Sequence, residues 1–310
     1  MPIYLKEADA VEFADMRSVI TVLRSAFAAQ ANGKAVNIPR RRLEFGNRRL
    51  NLMAGGGDEF GSRCVVKCYG SSAHHMLLYS AEAGLLAIME AGGLGAIRTG
   101  AASAVATEVM ARPGAGRIGL IGAGRQARTQ ILALCAIGSV TEVAVFARDR
   151  LKRKVFGRGL QSEIGLPVKE AASAEEAVRG ADIVVTATTS ETPVLMSSWL
   201  APGAHVNAMG ANSASRRELD PEIVRRAALI VTDDVAQAKL EAAELIDLAQ
   251  IGRLDWENVV PLHRIAGLPA AERDPNAITL FKSLGVGLED LAIASLVYDR
   301  AMATGRFKPL

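Results

Sequence analysis

The run Gly122-Ala123-Gly124-Arg125-Gln126-Ala127 has the residue types and spacing of a phosphate cradle. Gly122 permits a tight turn, Gly124 lets backbone approach a pyrophosphate, and Ala127 lets a helix pack closely on the strand before it. The apolar stretch Arg117–Ile121 leads in as a buried strand, and residues of helical composition follow. N–H groups at that helix start would face an anion. A glycine turn of this kind also serves plain packing, so its surroundings decide.

Three other places carry candidate chemistry. The strand Glu142–Phe146 ends in Ala147-Arg148-Asp149, about 20–25 residues past the glycines, where a dinucleotide domain places the group that meets the ribose. Small Ala147 leaves room there, and the Arg148 guanidinium suits a 2′-phosphate, which favours NADP(H) over NAD(H). The alternative is that Arg148 is an exposed helix start and Asp149 holds the ribose. Lys67 interrupts the apolar run Val65-Val66-Lys67-Cys68-Tyr69. It either faces solvent by alternation or is held in a site, where burial would bring its pKa toward useful acid–base range. The Arg40-Arg41-Arg42 run could grip a carboxylate with its forked donors or simply protect a strand edge. Arg98, beside Thr99 and Gly100, could meet phosphates or cap nothing more than a helix end.

Two kinds of scaffold must position these residues. From residue 117 onward strands alternate with helices: strand 117–121, helix 125–137, strand 142–146, helix 149–164, then strands at 182–188, 204–209, 229–233 and 278–281. Ser173-x-x-Glu176 is a capping box closed by Gly180, and Asp220-Pro221 starts a helix over 221–227. Such alternation predicts an α/β fold, a Rossmann-type doubly wound parallel sheet covered on both faces. The first hundred residues read differently. An amphipathic helix is expected over 9–30, a hairpin through Gly46-Asn47 joins strands near 37–45 and 49–53, and further strands fall at 64–69 and 76–79. A turn at Ser80–Gly84 precedes the stretch 85–90, and residues 99–111 have helix composition. This predicts an N-terminal α+β domain with a mostly antiparallel sheet, completed by the C-terminal helix 288–302. Pro113-Gly114 punctuates the passage between them. The expected domains are therefore 1–112 with 286–310, for substrate binding and dimerisation, and 113–285 for the dinucleotide.

Composition excludes several classes. The 310 residues are 50% apolar, enough for two modest cores, and 36 basic against 33 acidic residues give a net charge of +3, too even for a dedicated nucleic-acid binder. The first residues carry Lys6, Glu7, Asp9 and Glu12 without an apolar core, so no signal peptide is expected, and no uncharged apolar run reaches about 18 residues. A soluble cytoplasmic protein with no membrane partner is expected. Cys64, Cys68 and Cys135 form no paired framework, and His74, His75, His205 and His263 lack ligand spacing, so neither disulfide nor metal is expected.

Taken together, the chain resembles the ornithine cyclodeaminase/mu-crystallin family over nearly its whole length. The carriers are Pro39-x-Arg41, Leu52–Gly55, Lys67-x-Tyr69, Leu94-x-x-Ile97–Ser103, Gly122–Arg128, Ala181–Thr188, His205–Gly210, Arg217–Asp220 and Ile278–Gly285 with Leu288–Leu291. The resemblance implies a homodimer whose N-terminal lobe supplies the interface and the substrate site, with the cofactor between the lobes. It implies Arg41 as the carboxylate clamp, preferred to Arg40 by the Pro-x-Arg spacing, and Lys67 as the catalytic lysine, preferred to Arg63 by the Lys-x-Tyr pattern. Arg98 and Thr99 would contact the cofactor phosphates together with Gly122, Gly124, Arg125, Gln126 and Ala127. Ala147 and Arg148, Ala187 and Thr188, and Met209 and Gly210 would complete the nucleotide site. One position departs from the pattern. Members that cyclise ornithine carry Asp where this chain has Asn212, and an amide cannot accept a proton as a carboxylate does. That points to the reductive members, which pass hydride from NADPH to a C=N bond of a small imino acid. Ornithine cyclodeaminase with catalytic NAD is the alternative, and a non-catalytic NADPH-dependent ligand carrier the third.

Overall fold

The computed structural model describes residues 1–70, 73–138, 140–268 and 274–310. The chain divides into two compact units, Met1–Ala102 with Gly285–Leu310, and Ser103–Leu284.

The first unit opens with β1 (Ile3–Leu5), α1 (Glu7–Glu12) and α2 (Met16–Ala31). The single helix expected over 9–30 is two, because Asp15 turns extended and its side chain accepts a hydrogen bond from the Ser18 N–H, capping a new helix start. Then come β2 (Ala35–Phe45), β3 (Arg48–Gly57), β4 (Arg63–Tyr69), β5 (His74–Ser80) and β6 (Gly84–Glu90). α3 (Gly92–Met110) follows; the stretch 99–111 is its second half, and its residues belong to both units.

The second unit carries β7 (Arg117–Ile121), α4 (Arg125–Ile137), β8 (Glu142–Phe146), α5 (Arg150–Ile164), β9 (Val168–Glu170), α6 (Ala174–Val178), β10 (Ile183–Thr186) and β11 (His205–Ala208). It continues through α7 (Pro221–Arg226), β12 (Ala227–Thr232), α8 (Val235–Glu241), α9 (Ala243–Gln250), β13 (Val259–Pro261) and β14 (Ile278–Lys282). The chain then returns to the first unit as α10 (Gly287–Thr304) and β15 (Lys308–Pro309).

The second unit is the doubly wound sheet that the alternation predicts. Its eight strands run β13-β12-β14-β11-β10-β7-β8-β9, and every pairing is parallel. Strands such as Ile183-Val184-Val185-Thr186 are buried along their whole length, as a sheet covered on both faces requires. Strand order turns back beside β7, with β8 on one side and β10 on the other, which makes the carboxyl end of β7 the topological switch point.

The first unit's seven-stranded sheet runs β15-β1-β6-β5-β4-β3-β2 and is antiparallel except where β1 joins β6. β1 is too short and too near the terminus to show in periodicity. The sheet's inner face packs on α10 and α2, where Leu23, Phe27, Leu291, Ile293 and Val297 are fully buried. Each such side chain is worth about 1.5–3 kcal/mol in removal from water. Among the described residues no helix is long and apolar enough to cross a membrane.

Candidate active site

In the first unit the alternation of β4 buries Val65 and Lys67 while Val66 faces outward. Strand register then sets Lys67 in a row of methionines: Met53 on β3 and Met76 on β5 flank it, and Met89 on β6 follows. All three methionines are buried, and Lys67 is only 3% exposed. A lysine in such a row needs a partner. It donates from Nζ to Oδ1 of Asp290 at 2.9 Å, in the first turn of α10. Arg98 of α3 donates from Nε to the same oxygen at 3.0 Å and from Nη1 to Glu289 Oε2 at 2.7 Å. Burial pulls the Lys67 pKa down to about 8; Asp290 opposes that shift, and the positive charges of Arg98 and Arg40 add to it. Burial alone would raise the Asp290 pKa, but Arg98 and Lys67 hold it below the usual carboxylate range.

The carboxylate clamp is expected at Arg41, but the arginine of this run that is buried is Arg40. A register shift in β2 between Ile38 and Arg41 turns Arg40 inward, 4% exposed, with its Nη2 donating to the Gly285 carbonyl at 3.0 Å. Arg41 is exposed, opposite Leu52. Arg63, the rival for the lysine position, instead pairs with Asp299 at 2.8 Å and lies over the Tyr298 ring. Thr99 is buried and donates to the Gly95 carbonyl within its own helix at 2.8 Å.

Glycines make the room. A Cβ on Gly95 would stand 2.9 Å from Lys67 Nζ, and one on Gly285, whose φ is +75°, would overlap the Arg98 guanidinium. Arg40, Lys67 and Arg98 are thus buried in the same unit as the carboxylates of Glu289 and Asp290.

In the second unit the cradle has the conformation its residues call for. Gly122 has φ +130°, and a Cβ there would overlap the Ala187 carbonyl oxygen. Gly124 is extended, starts α4 without a side-chain cap, and has open space where its Cβ would be. Ala127 is buried against Ile118 and Leu120. N–H groups without a side-chain cap at this glycine turn fit the pyrophosphate of a dinucleotide. Arg125 is exposed and Gln126 half-buried at that helix start. At the end of β8, Ala147 is half-buried and Arg148 exposed, while Asp149 caps α5 by accepting from the Lys152 N–H at 2.9 Å.

Ala187 and Thr188 follow β10, and Met209 and Gly210 follow β11, on the same carboxyl edge. Asn212 lies two residues further and is half-buried. The Thr188 and Gly210 N–H groups both donate to Glu218, at 2.7 Å each. Sequence reasoning did not single out Glu218, Glu289 or Asp290. Their one signal was acidic residues within apolar motifs, Arg217-Glu-Leu-Asp220 and Leu288-Glu-Asp-Leu291. Among the described residues no group of three or more His, Cys, Asp or Glu side chains could hold a metal ion.

Comparison with known proteins places the chain in a family. The family model of the ornithine cyclodeaminase/mu-crystallin family matches residues 3–305. Ketimine reductase mu-crystallin of Mus musculus is 35% identical over 72% of this chain and 68% of its own. Against two other curated relatives the match spans 56% and 55% of their length. Delta(1)-pyrroline-2-carboxylate reductase of Thermococcus litoralis, solved with NADH and L-proline, is 31% identical and superposes with a TM-score of 0.94 over 99% of this chain and 100% of that one. An archaeal alanine dehydrogenase dimer with bound NAD is 29% identical, with a TM-score of 0.92 over 100% of this chain and 98% of that one.

Proposed function

The chain belongs to the ornithine cyclodeaminase/mu-crystallin family, and on that premise we propose that it is an NAD(P)H-dependent reductase of α-imino acids. The observation that carries this reading is the burial of two arginines, Arg40 and Arg98, in one unit with Lys67, which shares Asp290 with Arg98. Buried guanidinium groups of this kind suit a substrate carboxylate.

Arg40 and Arg98 grip the carboxylate with forked donors. Lys67, poised near pH 8 by its methionine surroundings, holds a proton at the imine nitrogen. When bound, the reduced nicotinamide supplies hydride to the imine carbon. The carboxylate grip fixes which face of that carbon is presented, and the apolar row around Lys67 keeps water from the nitrogen. Asn212 offers a neutral amide, so it can orient a substrate group without removing a proton from it.

For the cofactor, the Gly122–Ala127 turn takes the pyrophosphate. The engagement of Asp149 as a helix cap supports Arg148 as partner of a 2′-phosphate, and hence NADPH over NADH. We also assign a homodimer. The outer face of the first unit's sheet carries the apolar row Ile38–Ala54–Val66–Leu77 across four strands, with Val36 beside it. Such a row suits burial against a second copy. Light scattering should give twice the chain mass, and a monomer would refute that assignment.

The activity is tested by following NADPH and NADH absorbance against cyclic imines, such as pyrroline-2-carboxylate and piperideine-2-carboxylate, and acyclic imines of small keto acids. Consumption with at least one is expected. Silence across the panel, or proline and ammonia from ornithine with NAD, would overturn the reading.

A further inference from the structure

We infer that Glu218 is the positioning residue for the nicotinamide half of the cofactor, a buried anion that sets the backbone floor on which that half rests. The inference depends on the nucleotide-binding reading of the second unit.

Glu218 is fully buried, and its carboxylate accepts from backbone N–H groups and threonine hydroxyls. Oε1 accepts from the Thr188 N–H at 2.7 Å and the Thr188 hydroxyl at 2.8 Å. Oε2 accepts from the Thr186 hydroxyl at 3.0 Å, the Gly210 N–H at 2.7 Å and the Ala211 N–H at 3.1 Å. One side chain thus ties the segment after β10 to the segment after β11. The fit is close, because a Cβ on Gly210 would overlap both the Thr188 backbone and the Glu218 carboxylate.

Glu218 is itself held from behind. Its carbonyl accepts from Val194 and Leu195, and its N–H donates to Glu244, which is ion-paired with Lys282 at the end of β14 at 3.2 Å. The Thr232 hydroxyl of β12 donates to the Lys282 carbonyl at 2.9 Å. The carboxyl ends of β10, β11, β14 and β12 are therefore joined through one buried network.

Position gives this network its meaning. In a doubly wound sheet the adenosine half lies over the strands on one side of the switch point and the second nucleotide over the strands on the other. Here the first side is β7, β8 and β9, and the second begins with β10 and β11. Glu218 governs the second side only.

Replacing the carboxylate by an amide tests this. In either orientation the NH2 of Glu218→Gln faces N–H donors, Thr188 on one side or Gly210 and Ala211 on the other, and the floor must move. Binding of NADPH, NADH and ADP to the full chain would be measured by calorimetry. ADP carries the adenosine and pyrophosphate without the nicotinamide half. Glu218→Gln is expected to weaken NADPH and NADH at least tenfold and to leave ADP within twofold. Equal weakening of all three would mean a merely structural role and overturn the inference, as would unchanged binding of all three. Should Glu218→Gln not fold, Thr186→Val removes a single hydrogen bond to Oε2 and should weaken the dinucleotides three- to fivefold with ADP unchanged; no difference overturns the inference. A wild-type chain that binds neither NADPH nor NADH overturns the nucleotide reading itself, and that result is read before any substitution is made.

Discussion

Substituting Asp290 by Asn keeps the shape of the side chain and removes the one negative charge that Lys67 and Arg98 share. Lys67 Nζ lies 2.9 Å from that oxygen. With an effective dielectric of about 20, unit charges at this distance attract by about 6 kcal/mol. A pKa unit corresponds to about 1.4 kcal/mol, so even a quarter of that attraction is worth about one unit. The direction follows from the causes. Burial, Arg98 and Arg40 all press the Lys67 pKa downward to about 8, and Asp290 alone resists them. In Asp290→Asn the lysine therefore loses its proton at lower pH. If the protonated lysine is the working form, wild-type kcat/KM falls as pH rises through about 8. In the variant that descending limb moves down by at least about one unit. At pH 7.5 the rate drops several-fold, while at pH 6 the two proteins converge. Breaking a buried pair typically costs about 3–5 kcal/mol, so circular dichroism must first establish that the variant is folded at the assay temperature. The assay is the pH profile of kcat/KM for imine reduction. A limb at the same pH in both folded proteins would refute the assignment of Lys67 as the titrating group.

Three further outcomes follow from the geometry. Arg40→Ala should raise the KM for the imino acid by about 10- to 150-fold, the range expected for a hydrogen bond to a charged group, while Arg41→Ala stays within about twofold; steady-state kinetics with both variants decides between them. Gly285→Ala forces an L residue to φ +75° and pushes against Arg98, so thermal denaturation should show a loss of about 1–2 kcal/mol or more together with loss of activity. Arg148→Ala should raise the KM for NADPH about tenfold and leave that for NADH unchanged, and an equal effect on both would return the ribose to Asp149.

The parts of this molecule that were legible in the sequence are those governed by local backbone and short-range pattern. Gly122 was readable because a tight strand-to-helix turn needs its φ, and β7 and β8 because their apolar runs end in turn residues. Lys67 was recognisable as an interruption of an apolar strand, but its surroundings were not. The methionine row exists only through the register of β3, β4, β5 and β6, which no single segment encodes. Arg40 rather than Arg41 faces inward because of a register shift after Ile38, and alternation read from sequence assumes no shift. Asp290 and Glu218 lie in apolar motifs and act on residues 223 and 30 positions away, so their roles became visible only with the fold.

The central claim is that hydride moves from the reduced nicotinamide to an imine carbon. The direct measurement supplies NADPH deuterated at C4 of the nicotinamide on the transferring face, with pyrroline-2-carboxylate or another imine that the panel identifies, and reads the amino acid by mass spectrometry and NMR. The account predicts a single deuterium at Cα of the product and none elsewhere. An amino acid formed without deuterium from either C4-labelled face of NADPH would contradict it.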